Sequence, residues 1–218
     1  MIEFHSSPNP TIGVEIELQL IDDNTLDLKN ISSKVLADID KKFCNRMKYE
    51  LFESMIEINT DICSTIEEVE GDIKQTLRHL EEVLKNYNAS INCSSLHPFA
   101  RGKNQIISND SRYKRIMNDL QIIGIRFITQ GLHVHIGIDE CEKVIKVNNA
   151  LRIYLPLLLA LSTSSPFYEG EDTGLYSYRT KIFESLPLAG MPDYLNNWDH
   201  FTNITENLIK ADVIKSVK

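Results

Sequence analysis

Along Gln130–Asp139, QGLHVHIGID, the apolar residues Leu132, Val134, Ile136 and Ile138 alternate with His133, His135, Gly137 and Asp139. Period-two alternation predicts a half-buried β-strand within 126–139, with imidazoles and a carboxylate on one face. TIGVEIELQLI (11–21) repeats the plan: Ile12, Val14, Ile16, Leu18 and Leu20 alternate with Thr11, Gly13, Glu15, Glu17 and Gln19. A third strand is expected over 48–59, where Glu53 and Glu57 share a face with Leu51, Met55 and Asn59. By rise alone Glu53 and Glu57 would lie roughly 13 Å apart, bracketing a cluster rather than pairing on one ion.

Other segments follow the helical period. Residues 30–43 carry a stripe of Val35, Leu36 and Ile39, with Ser32 as a candidate cap. Ser64 and Glu67 form a capping-box pattern ahead of Ile66, Val69, Ile73, Leu77, Leu80, Leu84 and Tyr87, which predicts a long helix lying on a sheet. A short strand is expected at 89–95, a loop at LHPFARG (96–102) and an amphipathic helix at 111–123. Residues 148–162 read as a buried apolar helix bent by Pro156, and SSPFYEGEDTGLYSYR (164–179) as a long functional loop. A last helix runs from Trp198 to Ile209. No repeat or linker divides the chain, so 1–218 reads as a single domain.

Charged residues are poor strand formers and costly on a packed sheet face unless something neutralises them. Glu15, Glu17, Glu53 and Glu57, together with His133 and His135, therefore call for cations. The HxH spacing also suits zinc hydrolases, where two imidazoles converge on one ion. Four carboxylates against two imidazoles favour Mg²⁺ or Mn²⁺ with a nucleotide. Neither a Walker A motif nor GxGxxG is present, so ATP would be held through metals and basic side chains. Arg101, Arg126 and Arg179 are the candidate anion binders, because a guanidinium grips a carboxylate or phosphate with two donors. His97, in LHPF, reads as a turn cap.

Composition narrows the partners. Of 218 residues, 42% are hydrophobic and 25% charged, as in ordinary soluble proteins. The net charge of −8 argues against nucleic acid or an anionic membrane surface as partner. Cys44, Cys63, Cys93 and Cys141 show no CxxC pair and read as free thiols of a reducing compartment. MIEFHSSPNP lacks a signal-peptide pattern, and the apolar run 153–161 falls short of the ~20 residues that span a bilayer. A cytoplasmic protein is expected.

GVEIELQLID (13–22), ELFESMIEINT (50–60), LHPFA (96–100), TQGLHVHIGID (129–139) and STSSPFYEGEDTGLYSYRTKIFESLPLAGMP (162–192) together resemble the glutamate–cysteine ligase type 2 family, the bacterial carboxylate–amine ligases. The resemblance covers nearly the whole chain. It implies an α+β, glutamine synthetase-like catalytic fold, a curved and mainly antiparallel sheet backed by helices. It also implies ATP as co-substrate, Mg²⁺ or Mn²⁺, and ligation of the glutamate γ-carboxylate to an amine such as cysteine, a step of glutathione biosynthesis. Matched by motif, Glu15, Glu17, Glu53, Glu57 and His133 resemble the metal-binding positions. Gln130, His135 and Arg179 resemble substrate or nucleotide contacts, with Arg179 over the transferred group. Family members run longer, with further sheet strands expected after ADVIKSVK, and unpaired edge strands would favour a homo-oligomer. The rival readings are a metal-dependent hydrolase on the HxH strand and a ligand-binding fragment without turnover.

Overall fold

The computed structural model of the protein describes residues 2–214. In chain order its regular elements are β1 (Thr11–Asp22), α1 (Ser32–Ala37), β2 (Met47–Tyr49), β3 (Met55–Asn59), α2 (Ile66–Leu84), β4 (Ala89–Asn92), α3 (Ser111–Leu120), α4 (Ile122–Ile125) and β5 (Leu132–Gly137). Then come α5 (Cys141–Leu151), α6 (Leu155–Leu161), β6 (Phe167–Tyr168), β7 (Glu171–Asp172), α7 (Arg179–Phe183) and α8 (Trp198–Lys210). The chain divides into two compact units. The larger comprises Ile12–His135 and Thr163–Ala189; the smaller comprises the described residues up to Thr11, Ile136–Ser162, and those from Gly190 onward.

The larger unit is α+β, built on a sheet ordered β2-β3-β1-β4, with β5 also paired to β1. The pairs β1–β3, β1–β4 and β2–β3 are antiparallel. One face of β1 and β3 carries Leu18, Leu20, Ile56 and Ile58, all nearly inaccessible, and packs against Leu80, Val83 and Leu84 of α2 and Val35 of α1. Each such side chain contributes roughly 1.5–3 kcal/mol by leaving water, which makes this layer the main source of stability. With the apolar face turned to α2, period-two alternation turns Glu15 and Glu17 to the other side.

Several boundaries differ from the periodic reading, each for a local reason. The cap of α2 is Thr65, whose hydroxyl accepts from Glu68 N, while Glu68 Oε2 accepts from Ser64 N; the capping pattern is shifted by one residue from Ser64/Glu67. The helix expected over 30–43 ends at Ala37, and a separate 3-10 turn covers Lys41–Phe43. The strand expected over 48–59 is two strands, β2 and β3, that pair with each other around a turn at 50–54. The histidine strand shortens to Leu132–Gly137, because α4 and an irregular stretch occupy 122–131. Residues 164–179 hold the β6–β7 hairpin, whose two-residue turn, Glu169–Gly170, has positive φ at both positions. That is the geometry of a tight hairpin turn, and Gly170 meets it without a steric penalty.

The smaller unit packs α5 against α8. Asn197 caps α8 by accepting from His200 N at 2.8 Å, and Trp198 N donates to Glu142 Oε1 at 3.0 Å. Phe4 meets the Trp198 ring edge-on, with 5.5 Å between centroids. Burial of the apolar helix, expected from 148–162, is not observed. Pro156 sits in the first turn of α6, where its missing N–H costs nothing, so the segment breaks into α5, a 3-10 turn and α6. None of the α6 side chains is buried. By length and composition alone, Cys141–Leu161 is apolar enough to cross a bilayer.

Candidate metal and substrate site

Strand register assembles the site on the polar face of the larger unit's sheet. Glu17 of β1 stands opposite Glu57 of β3, and Glu57 stands opposite Lys48 of β2. Like charges directly opposite in a ladder destabilise it. Register supplies a positive neighbour in Lys48, whose Nζ is 3.7 Å from Glu57 Oε1 and is itself well exposed. Glu50, just past the end of β2, turns its carboxylate to the same place. Glu17, Glu50 and Glu57 bring one oxygen each within 4.8 Å of one another.

Burial sharpens the repulsion. It pushes the Glu50 carboxyl up to about 8, with the negative charge of Glu17 and Glu57 adding to the effect. Glu17 is likewise raised, chiefly by burial, although His133, Gly131 N–H and Arg179 pull the other way. Three crowded carboxylates in a half-buried site form an oxygen-only donor set, which suits Mg²⁺ or Mn²⁺.

A second cluster lies along β1 and β5. Glu15 Oε2 is 3.2 Å from His133 Nδ1 and 3.3 Å from His135 Nε2. Burial tends to raise the Glu15 carboxyl, but hydrogen bonds and charge from the two imidazoles outweigh it and hold the group below its usual range. These three residues also keep their ligand atoms within 4.8 Å, giving a mixed nitrogen and oxygen set. Gly131 makes the approach possible: a Cβ there would stand 2.8 Å from His133 Nε2 and 3.2 Å from Glu17 Oε2.

Between carboxylates and helices lies a pocket of about 160 Å³. Glu17, Glu50, Thr129 and His133 line its polar side; Leu51, Met55, Phe127 and Phe183 line the rest, with Arg179 among them. Arg179 opens α7, its N–H donating to Ser165 Oγ at 3.2 Å. Its guanidinium carbon lies 4.1 Å from the Phe183 ring centroid, and Phe183 stands 4.6 Å from Phe127. Its Nε is buried without a hydrogen-bond partner among the described residues. Burial lowers the guanidinium's pKa, offset in part by Glu17. A half-buried cation with an unused donor, lining a pocket, has the chemistry to accept an anion there.

The remaining sequence candidates fall outside these clusters. Glu53 lies in the turn between β2 and β3. Its Oε2 accepts from Ser32 Oγ, Ser33 N and Ser33 Oγ, and its carbonyl accepts from Ile31 N and Ser32 N. It anchors the start of α1, because a turn at 50–54 cannot present Glu53 and Glu57 on one strand face. Gln130 is buried, donating to Asn92 O; Asn92 in turn donates to Gln19, whose amide reaches Ile128 O. Its Oε1 is left without a partner among the described residues. His97 accepts from Ala100 N and contacts Leu26 O, as a turn residue would. Arg101 and Arg126 are exposed. Glu50 is the residue that periodicity missed; its i, i+2 relation to Lys48 was the available signal.

The fold and site define a sheet-based protein whose sheet carries an acidic face. The glutamate-cysteine ligase family 2 model matches residues 11–218, and the chain belongs to that family. Proteins assigned as glutamate–cysteine ligase 2 in Frankia alni (2-1) and Thermobifida fusca are each 37% identical over 221 aligned residues. Both alignments take in 100% of this chain, but only 58% and 55% of those relatives' lengths. Among solved structures, the fold is similar to a glutamate–cysteine ligase from Francisella tularensis in complex with AMP, at a TM-score of 0.64 and 17% identity. That likeness covers 94% of this chain and 48% of the other. A bifunctional glutathione synthetase from Pasteurella multocida gives a TM-score of 0.67 at 14% identity, over 93% of this chain and 30% of the other.

Proposed function

We propose that the chain forms the metal- and phosphate-handling part of an ATP-dependent carboxylate–amine ligase, joining the γ-carboxylate of glutamate to an amine such as cysteine. The observation that carries this reading is the convergence of the Glu17, Glu50 and Glu57 carboxylates, two of which, Glu17 and Glu50, line a pocket that Arg179 also lines. Membership of the family supports it, as does the nucleotide bound to the structurally similar Francisella enzyme.

ATP is the co-substrate. Glu17, Glu50 and Glu57 would hold Mg²⁺ or Mn²⁺, and Glu15, His133 and His135 offer a second set of ligands. A bound ion neutralises charge on the phosphate oxygens. A γ-carboxylate oxygen of glutamate attacks the γ-phosphorus, the bond to the bridging oxygen breaks, and ADP leaves. The amine's lone pair then attacks the acyl carbon, the C–O bond to phosphate breaks, and inorganic phosphate and a proton depart. Such transfers need position and compensating charge more than a protein nucleophile. Arg179 supplies that charge at the transferred group, while His135 borders the substrates.

The test is ADP release from ATP with Mg²⁺, glutamate and a panel of amines beginning with cysteine. ADP that appears only when glutamate and an amine are both present, with a γ-glutamyl product, is the expected result. ADP release indifferent to glutamate would contradict the assignment.

A further inference from the structure

Gln19 continues the polar row of Glu15 and Glu17 along β1, yet it is fully buried and carries no charge. Both ends of its amide are engaged. Gln19 Nε2 donates to Ile128 O at 3.0 Å, and Gln19 Oε1 accepts from Asn92 Nδ2 at 3.0 Å. Asn92 Nδ2 also donates to Ser94 Oγ, whose hydroxyl donates to Leu96 O. This chain of hydrogen bonds ends at both sides on main-chain carbonyls, which can only accept, so each amide has one orientation that satisfies every member. It also closes on itself, because Leu96 is bridged to Thr129, the neighbour of Ile128.

The stretch it grips is the approach to β5. Residues 127–131 belong to none of the helices or strands. They bring Phe127 and Thr129 to the pocket and set Gly131 against His133 and Glu17. β1 ties this stretch down through Gln19, which holds Ile128 O, and through Glu17 N, which donates to Gly131 O at 3.0 Å. A stretch without a ladder of its own keeps its path through such ties, and supporting hydrogen bonds of this kind hold site residues in place. Every residue involved belongs to the larger unit.

We infer that Gln19 is a positioning residue of the candidate site: its buried amide fixes the path of 128–131, and with it the approach of His133 to Glu15 and Glu17. Gln19 does not itself line the pocket. A carboxylate at position 19 would set an acceptor against the Ile128 carbonyl, which accounts for an uncharged amide in an otherwise acidic row. As a statement about catalysis the inference rests on the ligase reading; the geometry it predicts does not.

The test follows the imidazole resonances of the 218-residue chain by proton–nitrogen NMR, with Gln19→Met as a variant of similar length lacking both polar ends. The His133 cross-peaks should shift, while those of His79, stacked on Phe43 at the α2 side of the sheet, stay in place. Mn²⁺ affinity should fall about tenfold or more in the same variant. Asn92→Ala, at a half-buried position, removes the donor to Gln19 Oε1 and should move the same cross-peaks; it decides the matter if Gln19→Met does not fold. A lowered thermal transition with His133 unmoved in the folded state would make the role of Gln19 structural only and overturn the inference. A shifted His133 with wild-type Mn²⁺ affinity would overturn it too. A wild type that binds no Mn²⁺ would defeat the metal reading, and the His133 cross-peaks alone would then decide for or against Gln19.

Discussion

Glu17 and Glu57 face each other across the β1–β3 ladder, and Lys48 of β2 stands opposite Glu57 on its other side. The pair is a standing repulsion in the metal-free protein. Glu57→Gln is therefore expected to stabilise the metal-free chain by about 0.2–1 kcal/mol. The same change should abolish most of the stabilisation that Mg²⁺ confers on the wild type. Thermal unfolding with EDTA and with excess Mg²⁺ checks both halves.

Glu50 makes the site pH-sensitive. Its folded-state pKa, about 8, lies above the ordinary 4.5, so the native protein binds the extra proton between these values. Metal-free stability should fall as pH rises from about 4.5 to about 8, because ionising Glu50 costs more in the fold than in the unfolded chain. Cation binding displaces that proton, so affinity should rise over the same window. Calorimetry in two buffers of different ionisation enthalpy should detect proton release near pH 7 in the wild type, and much less in Glu50→Gln.

Glu53 and Glu57, four residues apart, are expected to behave oppositely. Glu53→Ala removes an acceptor for three donors at the start of α1 and should cost about 0.5–2 kcal/mol. Its divalent-cation affinity should match the wild type. Urea denaturation beside a metal titration separates the two roles.

Gly131→Ala should injure the site without unfolding the sheet. The added methyl would meet His133 Nε2 and Glu17 Oε2. Divalent affinity should drop about tenfold or more, a cost of ~1.4 kcal/mol or above, while the far-ultraviolet circular dichroism spectrum stays unchanged.

The sequence showed β1, α2, α8 and the polar face of β5 clearly, because each has a run of side chains long enough to fix its period. Glu15, Glu17, Glu57, His133 and His135 came with them. Glu53 and Glu50 were exchanged for the opposite reason: ELFES contains neither glycine nor proline, so nothing marked the turn that ends β2. Phe127 and Phe183 come from an irregular stretch and a five-residue helix, where no period exists to read. The exposure of α6 was hidden because apolar composition reports what wants to be covered and not whether a partner is present.

The central claim, that Glu17, Glu50 and Glu57 form a divalent-cation site, is tested most directly by titrating Mn²⁺ and following the free ion by electron paramagnetic resonance. Wild type and Glu53→Ala should deplete the free-ion signal alike, and Glu17→Gln should deplete it far less. Equal depletion by wild type and Glu17→Gln, with Glu53→Ala the weaker binder, would contradict the account.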